Sequence, residues 1–197
     1  LFGKEFHYIV VKTLSSGKRP APSNRLIREA IERLAGMAII DGPEHEVFRR
    51  IAKINGVIYV DLCNDEWQIV RVDKSGWSVV NDPPVKLIRM SGMRPLPNPE
   101  RGGKLQEFRG LLPGVSFDDW IKIQGVLVGV FNPDGTQPVL VISGRQGSGK
   151  SKTAEMVRNL VDANQVPVRT MPRKIDELFV AAENSHLLAF DNLSHLT

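Results

Sequence analysis

The spacing of apolar residues predicts an amphipathic helix in the first quarter of the chain. Leucine, isoleucine and alanine recur at helical intervals from Leu26 to Leu34. Ser23 or Asn24 can cap the start of this helix, and Asp41-Gly42-Pro43 ends it. Its outer face carries opposite charges at positions i and i+4, which is typical of a solvated surface. Contact of that face with nucleic acid is the alternative.

Between residues 47 and 80 the apolar period shortens to two, which predicts β-strands. Asn-Gly at residues 55–56 is a strong hairpin signal. We therefore predict a small antiparallel meander, extended by a further strand at residues 86–90. Three of its aromatic residues either form a platform for bases or, as is commoner in strands, pack a sheet face: Tyr59, Trp67 and Trp77. The predicted strands are Val47–Ile54, Val57–Leu62, Trp67–Val72 and Trp77–Val80.

Residues 91–110 contain four glycines and three prolines without a clear period. This composition predicts a linker, or a strap that lies along the following domain. Four basic residues in it could meet a phosphate backbone, although most charged linkers are simply solvated. They are Arg94, Arg101, Lys104 and Arg109.

The remainder of the chain alternates helical and apolar extended segments. Ser116 and Asp119 predict the start of a buried helix over residues 120–131. Residues 138–142 form a short uncharged apolar run, as expected for a buried parallel strand. Alternation of this kind implies right-handed crossovers and a parallel sheet. The segments that follow are a helix at 152–161, a strand at 166–171, a helix at 175–182 and a strand at 186–190.

A glycine-rich motif directly follows the strand predicted at 138–142. Residues 144–151, Gly-Arg-Gln-Gly-Ser-Gly-Lys-Ser, match the P-loop pattern G-x-x-x-x-G-K-[ST] in full. Glycines let backbone N–H groups point at phosphate oxygens, beside the positive end of a helix. We expect Lys150 to reach the β- and γ-phosphates of ATP, and Ser151 to hold Mg²⁺. The predicted cofactor-binding residues are Gly144, Arg145, Gln146, Gly147, Ser148, Gly149, Lys150, Ser151 and Lys152.

A second motif supplies a candidate acidic ligand for Mg²⁺. The apolar run at 186–190 ends in Asp191, where a Walker B aspartate would hold the ion directly or through water. Asn192 stands where many P-loop ATPases carry a glutamate that polarises the attacking water. An amide can orient water but cannot act as a general base. We predict Lys150, Asp191 and Asn192 as catalytic residues and Ser151 and Asp191 as metal ligands, and hydrolysis is less firmly indicated than binding.

These motifs define the predicted fold class and domains. An α+β region of helix and meander spans residues 1–90, a linker spans 91–110, and an α/β P-loop NTPase core with a parallel sheet spans 111–197. The chain starts without methionine and stops just after the Walker B strand. We therefore expect a fragment of a longer protein, truncated within its NTPase core.

Charge and composition add expectations about partners and location. The net charge of +4 comes from residues 1–60, which hold ten basic and six acidic residues, so any affinity for DNA is separable from ATP binding. A single cysteine, Cys63, favours a reducing compartment. No apolar run reaches the length of a membrane helix, and we expect a cytoplasmic protein. The four histidines are not spaced along the chain as metal ligands usually are. They are His7, His45, His186 and His195.

Several blocks resemble ATP-binding proteins of phages and integrative elements, of the primase-helicase or superfamily 3-like type. The blocks are residues 144–151, residues 166–194 and the region of Ile58–Asp61 and Pro83-Pro84, and residues 181–194 (AAENSHLLAFDNLS) are the most specific. The resemblance implies a homo-oligomeric, AAA-like motor that acts on single-stranded or forked DNA during replication of a mobile element. It also implies a sensor residue and an arginine finger beyond Thr197. Superfamily 3 loops commonly place asparagine where Ser148 stands, and Asn192 departs from the usual pattern too.

Three functions are therefore open at the level of sequence. The first is a DNA-dependent, helicase-like ATPase. The second is a nucleotide-dependent switch or loader with little hydrolysis, which Asn192 favours. The third is a small-molecule P-loop kinase, for which the sequence shows neither a lid nor an acceptor site.

Overall fold

The computed structural model describes residues 4–15, 22–112 and 114–193. The chain divides into two compact units, residues 1–45 and 46–197. The first unit contains two helices that contact each other, α1 (Lys4–Leu14) and α2 (Asn24–Asp41). Helix α2 begins as predicted, because the Ser23 side chain accepts a hydrogen bond from the N–H of Leu26. Helix α1 has no counterpart among the predicted elements.

The second unit begins with a four-stranded antiparallel meander. Its strands pair in the order β2 (Ile51–Ile54), β3 (Val57–Asp61), β4 (Ile69–Asp73) and β5 (Gly76–Val80). Two shorter strands pair with each other in parallel, β1 (Val47–Phe48) and β6 (Lys86–Leu87). The single strand predicted over residues 47–54 is thus broken. The break lies at Arg50, whose φ of 57° is left-handed and cannot continue a strand.

The meander shares a hydrophobic core with the helices that follow it. Ile51 and Val60 pack in one cluster with residues of α4 (Phe117–Val130) and α5 (Lys150–Val161), among them Trp120, which is 1% exposed. The structural division therefore falls at residues 45/46, whereas the sequence pattern placed a boundary after residue 90. Local periodicity does not reveal a core that joins strands to helices more than 60 residues later.

The aromatic residues of the meander do not form one platform. Tyr59 is buried on the other face of the sheet, in a cluster with Ala52, Ile69 and Val85. Trp67 is exposed, with the Arg89 guanidinium 3.9 Å above its ring. Trp77 lines an apolar cavity of about 830 Å³ between the meander and α5. Successive side chains of β3 point to opposite faces of the sheet, and Tyr59 points away from the cavity that Trp77 lines. The interpretation of Tyr59, Trp67 and Trp77 as one stacking platform is therefore wrong.

Residues 91–99 are a strap rather than a free linker. The N–H of Arg94 donates to the carbonyl of Ala163 at 2.9 Å, and the N–H of Leu96 donates to the carbonyl of Leu62 at 2.8 Å. The strap thereby joins the end of β3 to the turn after α5. A short helix, α3 (Leu105–Gly110), follows it.

Beyond α5 the chain forms β7 (Arg169–Thr170), α6 (Ile175–Glu183) and β8 (Phe190–Asp191). Strands β7 and β8 pair in parallel, with Thr170 opposite Asp191. Residues 138–142, predicted as a strand, pair with no other strand in the part of the chain that the structure describes. Without neighbours at its edges, Val139 is 87% exposed. The parallel NTPase sheet therefore stays a prediction. Among the described residues no helix is both long and apolar enough to span a membrane.

The cap of α4 gives a stability prediction. The Ser116 hydroxyl accepts a hydrogen bond from the N–H of Asp119 at 3.1 Å and donates to its carboxylate at 2.7 Å. Replacing Ser116 by alanine is expected to lower the free energy of unfolding by about 1 kcal/mol, because it leaves a helix N–H unsatisfied. Chemical denaturation measures this change. Ser78→Ala on an exposed strand position is the control, and equal losses in both variants would contradict the assignment.

Candidate functional site

The glycine-rich residues 144–149 form a turn that leads directly into α5. Gly147 and Gly149 have φ values of 79° and 82°, which are left-handed and favour glycine. Gly149 is the N-cap of α5, and no side chain caps the helix there. The first N–H groups of α5 are therefore left to solvent or to an anion, which is the property that a phosphate site requires.

Lys150 lies across this turn. Its ammonium donates to the carbonyl oxygens of Gly144 at 2.9 Å and Arg145 at 2.8 Å. The turn is tight at its start, since a Cβ added to Gly144 would lie 2.8 Å from the Ser148 hydroxyl. A positive charge is thus held beside the uncapped N-terminus of α5. The Lys150 ammonium and the helix N-terminus both favour a negatively charged ligand.

Ser151 and Asp191 meet although they are 40 residues apart. The Ser151 hydroxyl donates to Oδ2 of Asp191 at 2.6 Å. The N–H of Asn192 donates to Oδ1 of Asp191 at 2.7 Å. The Ser151 bond lowers the pKa of the Asp191 carboxyl below its usual 3.8, and the Asn192 N–H and the Lys150 charge act in the same direction. One cation could contact both side-chain oxygens, and Mg²⁺ typically uses one or two such ligands together with phosphates.

The remaining predicted site residues lie around this pair. Lys152 pairs with Glu155 on the exposed side of α5, at 3.0 Å. The N–H of Ser148 donates to the carbonyl of Arg145. Asn192 is exposed and has a left-handed φ of 59°, a conformation that asparagine tolerates. Arg145 and Gln146 are exposed at the tip of the turn.

The Ser151–Asp191 hydrogen bond gives a pH prediction. Because the carboxyl pKa is lowered in the folded chain, the bond stabilises the fold above the unfolded-state pKa. That contribution is lost as the pH falls through the folded-state pKa. Ser151→Ala is expected to raise the pKa of Asp191 toward 3.8. A carboxyl-carbon NMR titration measures it, with Ser116→Ala as the unaffected control. An unchanged pKa in Ser151→Ala would show that the hydrogen bond is absent in solution.

The region that holds this site matches a known family. Residues 119–197 match the family model of the actinomycete integrative conjugative element replication protein. The chain is similar to replication proteins of mobile elements. The match covers the P-loop motif and Asp191 but less than half of the chain. It confirms the integrative-element part of the resemblance at the level of a DNA replication role. No curated protein and no solved structure is significantly similar to the chain.

Two ion pairs with a buried carboxylate were not predicted from the sequence, and the first of them joins the family-matched region to the residue before β2. Arg50 is fully buried and pairs with Asp162, the residue after α5. Arg89 binds both carboxylate oxygens of Asp61, at 2.9 and 2.7 Å. The signal in the sequence is weak, because Arg50 is one of three basic residues in the run 47–54 and no local pattern specifies its partner.

Arg158 of α5 is a second fully buried cation that was not predicted from the sequence. It donates to the carbonyls of Val166 at 3.0 Å and Pro167 at 2.8 Å, and to the Ser185 hydroxyl at 3.3 Å. Burial lowers the pKa of its guanidinium, while the charge of Asp162 opposes that shift. Arg158 thus fixes the segments that lead into β7 and β8 against α5.

Proposed function

We propose that the chain is an ATP-binding P-loop protein that serves DNA replication of a mobile element, as part of a helicase-like motor. The observation that carries this proposal is the 2.6 Å contact between Ser151 and Asp191. It joins the end of a complete P-loop motif to the candidate Walker B aspartate, within the region similar to replication proteins.

Each side chain has a distinct role in this proposal. Backbone N–H groups of the turn and of the first turn of α5 bind phosphate oxygens, and Lys150 neutralises the β- and γ-phosphates. Ser151 and Asp191 would hold Mg²⁺, which supplies further neutralisation of phosphate charge when bound. Asn192 orients water but cannot remove its proton.

The partners belong to the same proposal. DNA is the polymer on which a replication motor acts, and the excess of basic residues in positions 1–60 favours a polyanion. We further propose a homo-oligomer located in the cytoplasm.

ATP turnover tests the proposal. The full-length protein and its Lys150→Ala variant are compared with Mg²⁺ and ATP, each with and without single-stranded DNA. The proposal expects turnover that DNA stimulates and that Lys150→Ala abolishes. Absence of ATP binding in the wild-type chain would refute it.

A nucleotide-dependent switch or loader is the second candidate. The observation that favours it is Asn192, an amide where a carboxylate would polarise water. Tight Mg²⁺-dependent ATP binding without turnover, in the presence and absence of DNA, would support the switch over the motor. Transfer of phosphate to a small acceptor would instead support a kinase.

A further inference from the structure

Asp162 is a buried carboxylate shared by two distant parts of the chain. Its Oδ1 accepts a hydrogen bond from Nε of Arg50 at 3.1 Å. Its Oδ2 accepts the backbone N–H groups of His186 at 3.0 Å and Leu187 at 3.2 Å. Both oxygens are therefore satisfied, as a carboxylate that is 1% exposed requires.

Arg50 is itself fixed by its surroundings. Besides Asp162, its guanidinium donates to the carbonyls of Asp61, Arg94 and Ala163, at 3.0, 2.9 and 3.0 Å. These carbonyls belong to the end of β3, the strap and the turn after α5. Because the guanidinium donors form a rigid planar fork, four acceptors set its position closely. The place of Asp162 is thus determined by the meander and the strap.

Residues 186–191 consequently contact α5 at both ends of the helix. Asp162 binds the start of this segment, and Ser151 binds its end at Asp191. The segment is therefore held at its start and at its end by residues that border or belong to one helix. We expect a displacement of His186 and Leu187 to move Asp191 relative to Ser151.

We propose that Asp162 is a positioning residue, which sets the place of Asp191 beside Ser151 through the backbone of residues 186–191. Arg50 is the anchor that holds it. This inference rests on the proposed function, because it assigns Asp162 a part in the Mg²⁺-dependent component of nucleotide binding. It would also link the meander, which lies outside the family match, to the nucleotide site.

The test measures binding of fluorescent ATP with Mg²⁺ and with EDTA. Asp162→Asn retains the shape of the side chain, but only its amide oxygen can accept. It therefore loses the hydrogen bond from Arg50 or those from residues 186–187, depending on which way the amide faces. The dissociation constant in EDTA divided by that in Mg²⁺ measures how much Mg²⁺ strengthens ATP binding. We expect this ratio to fall about tenfold in Asp162→Asn, as for residues that orient metal ligands. The matched control is Arg89→Met, which breaks a partly buried ion pair with Asp61 and removes no contact to residues 186–187. It is expected to keep the wild-type ratio.

Amide hydrogen exchange of residues 186–192 in nucleotide-free protein is the second measurement. We expect faster exchange in Asp162→Asn and wild-type exchange in Arg89→Met. Unchanged exchange in Asp162→Asn, or an equal fall of the binding ratio in both variants, overturns the positioning role. If ATP binding by the wild-type chain does not depend on Mg²⁺, the proposed function is overturned instead. The exchange rates of residues 186–192 then still test whether Asp162 positions this segment.

A second substitution keeps the test valid if Asp162→Asn does not fold. Asp162→Glu retains the negative charge for Arg50 but displaces the carboxylate by one methylene. The same fall in the ratio and the same faster exchange are expected. A wild-type ratio in a folded Asp162→Glu variant contradicts the proposal.

Discussion

Replacing Lys150 by alanine is expected to weaken ATP binding roughly 30- to 150-fold. The ammonium lies beside the uncapped start of α5 and already donates to two carbonyl oxygens of the turn. Charge-assisted hydrogen bonds contribute about 2–3 kcal/mol, and each 1.4 kcal/mol changes the dissociation constant about tenfold. Isothermal titration with ATP and Mg²⁺ measures the loss.

Lys122→Ala is the control for this substitution. Lys122 is an exposed lysine of α4 that pairs with Asp119, so the two variants lose the same charge. If both weakened ATP binding equally, the effect would be one of net charge and not of the P-loop. Unchanged affinity in Lys150→Ala would remove the turn from the nucleotide site altogether.

Replacing Arg50 by methionine is expected to lower the free energy of unfolding by about 3–5 kcal/mol. The substitution leaves the buried Asp162 carboxylate without its charged partner and frees three backbone carbonyls. For a chain of this size each kcal/mol lowers the melting temperature by about 2–4 °C. Thermal unfolding followed by circular dichroism should therefore show a fall of roughly 6–20 °C.

Two further variants separate the causes of this loss. Arg71→Met removes a partly exposed partner of Asp73, and exposed pairs contribute about 1 kcal/mol at most. The double variant Arg50→Met, Asp162→Leu removes both buried charges and should recover part of the stability. Recovery stays partial because the N–H groups of His186 and Leu187 lose their acceptor. A single Arg50→Met variant as stable as Arg71→Met would show that the pair carries little energy.

The sequence predicted the features that depend on local pattern. The meander strands and the cap of α2 follow from alternation and from Ser23, which act over a few residues. The sequence motifs also predicted Ser151 and Asp191 as ligands of one Mg²⁺ ion, and the two side chains lie within hydrogen-bond distance. Their role as metal ligands stays a prediction.

Features that depend on distant partners were not predicted. The left-handed backbone at Arg50, which divides β1 from β2, accompanies bonds to carbonyls up to 113 residues away. The contacts of Asp162 and Arg158 could likewise not be predicted, because they form only when α5 packs against the segment before β8. Residues 138–142 have the composition of a buried strand, but pairing depends on neighbours that composition does not specify.

The core that the meander shares with α4 and α5 limits where recombination can divide the gene for this chain. A recombination joint after residue 90 would separate Ile51 and Val60 from Trp120 and Val161, and would leave both fragments with an uncovered apolar face. A joint at 45/46 leaves this cluster whole, because its members lie after residue 45. We therefore expect recombination to keep the meander together with α4 and α5, so that the meander is inherited with the glycine-rich residues 144–151.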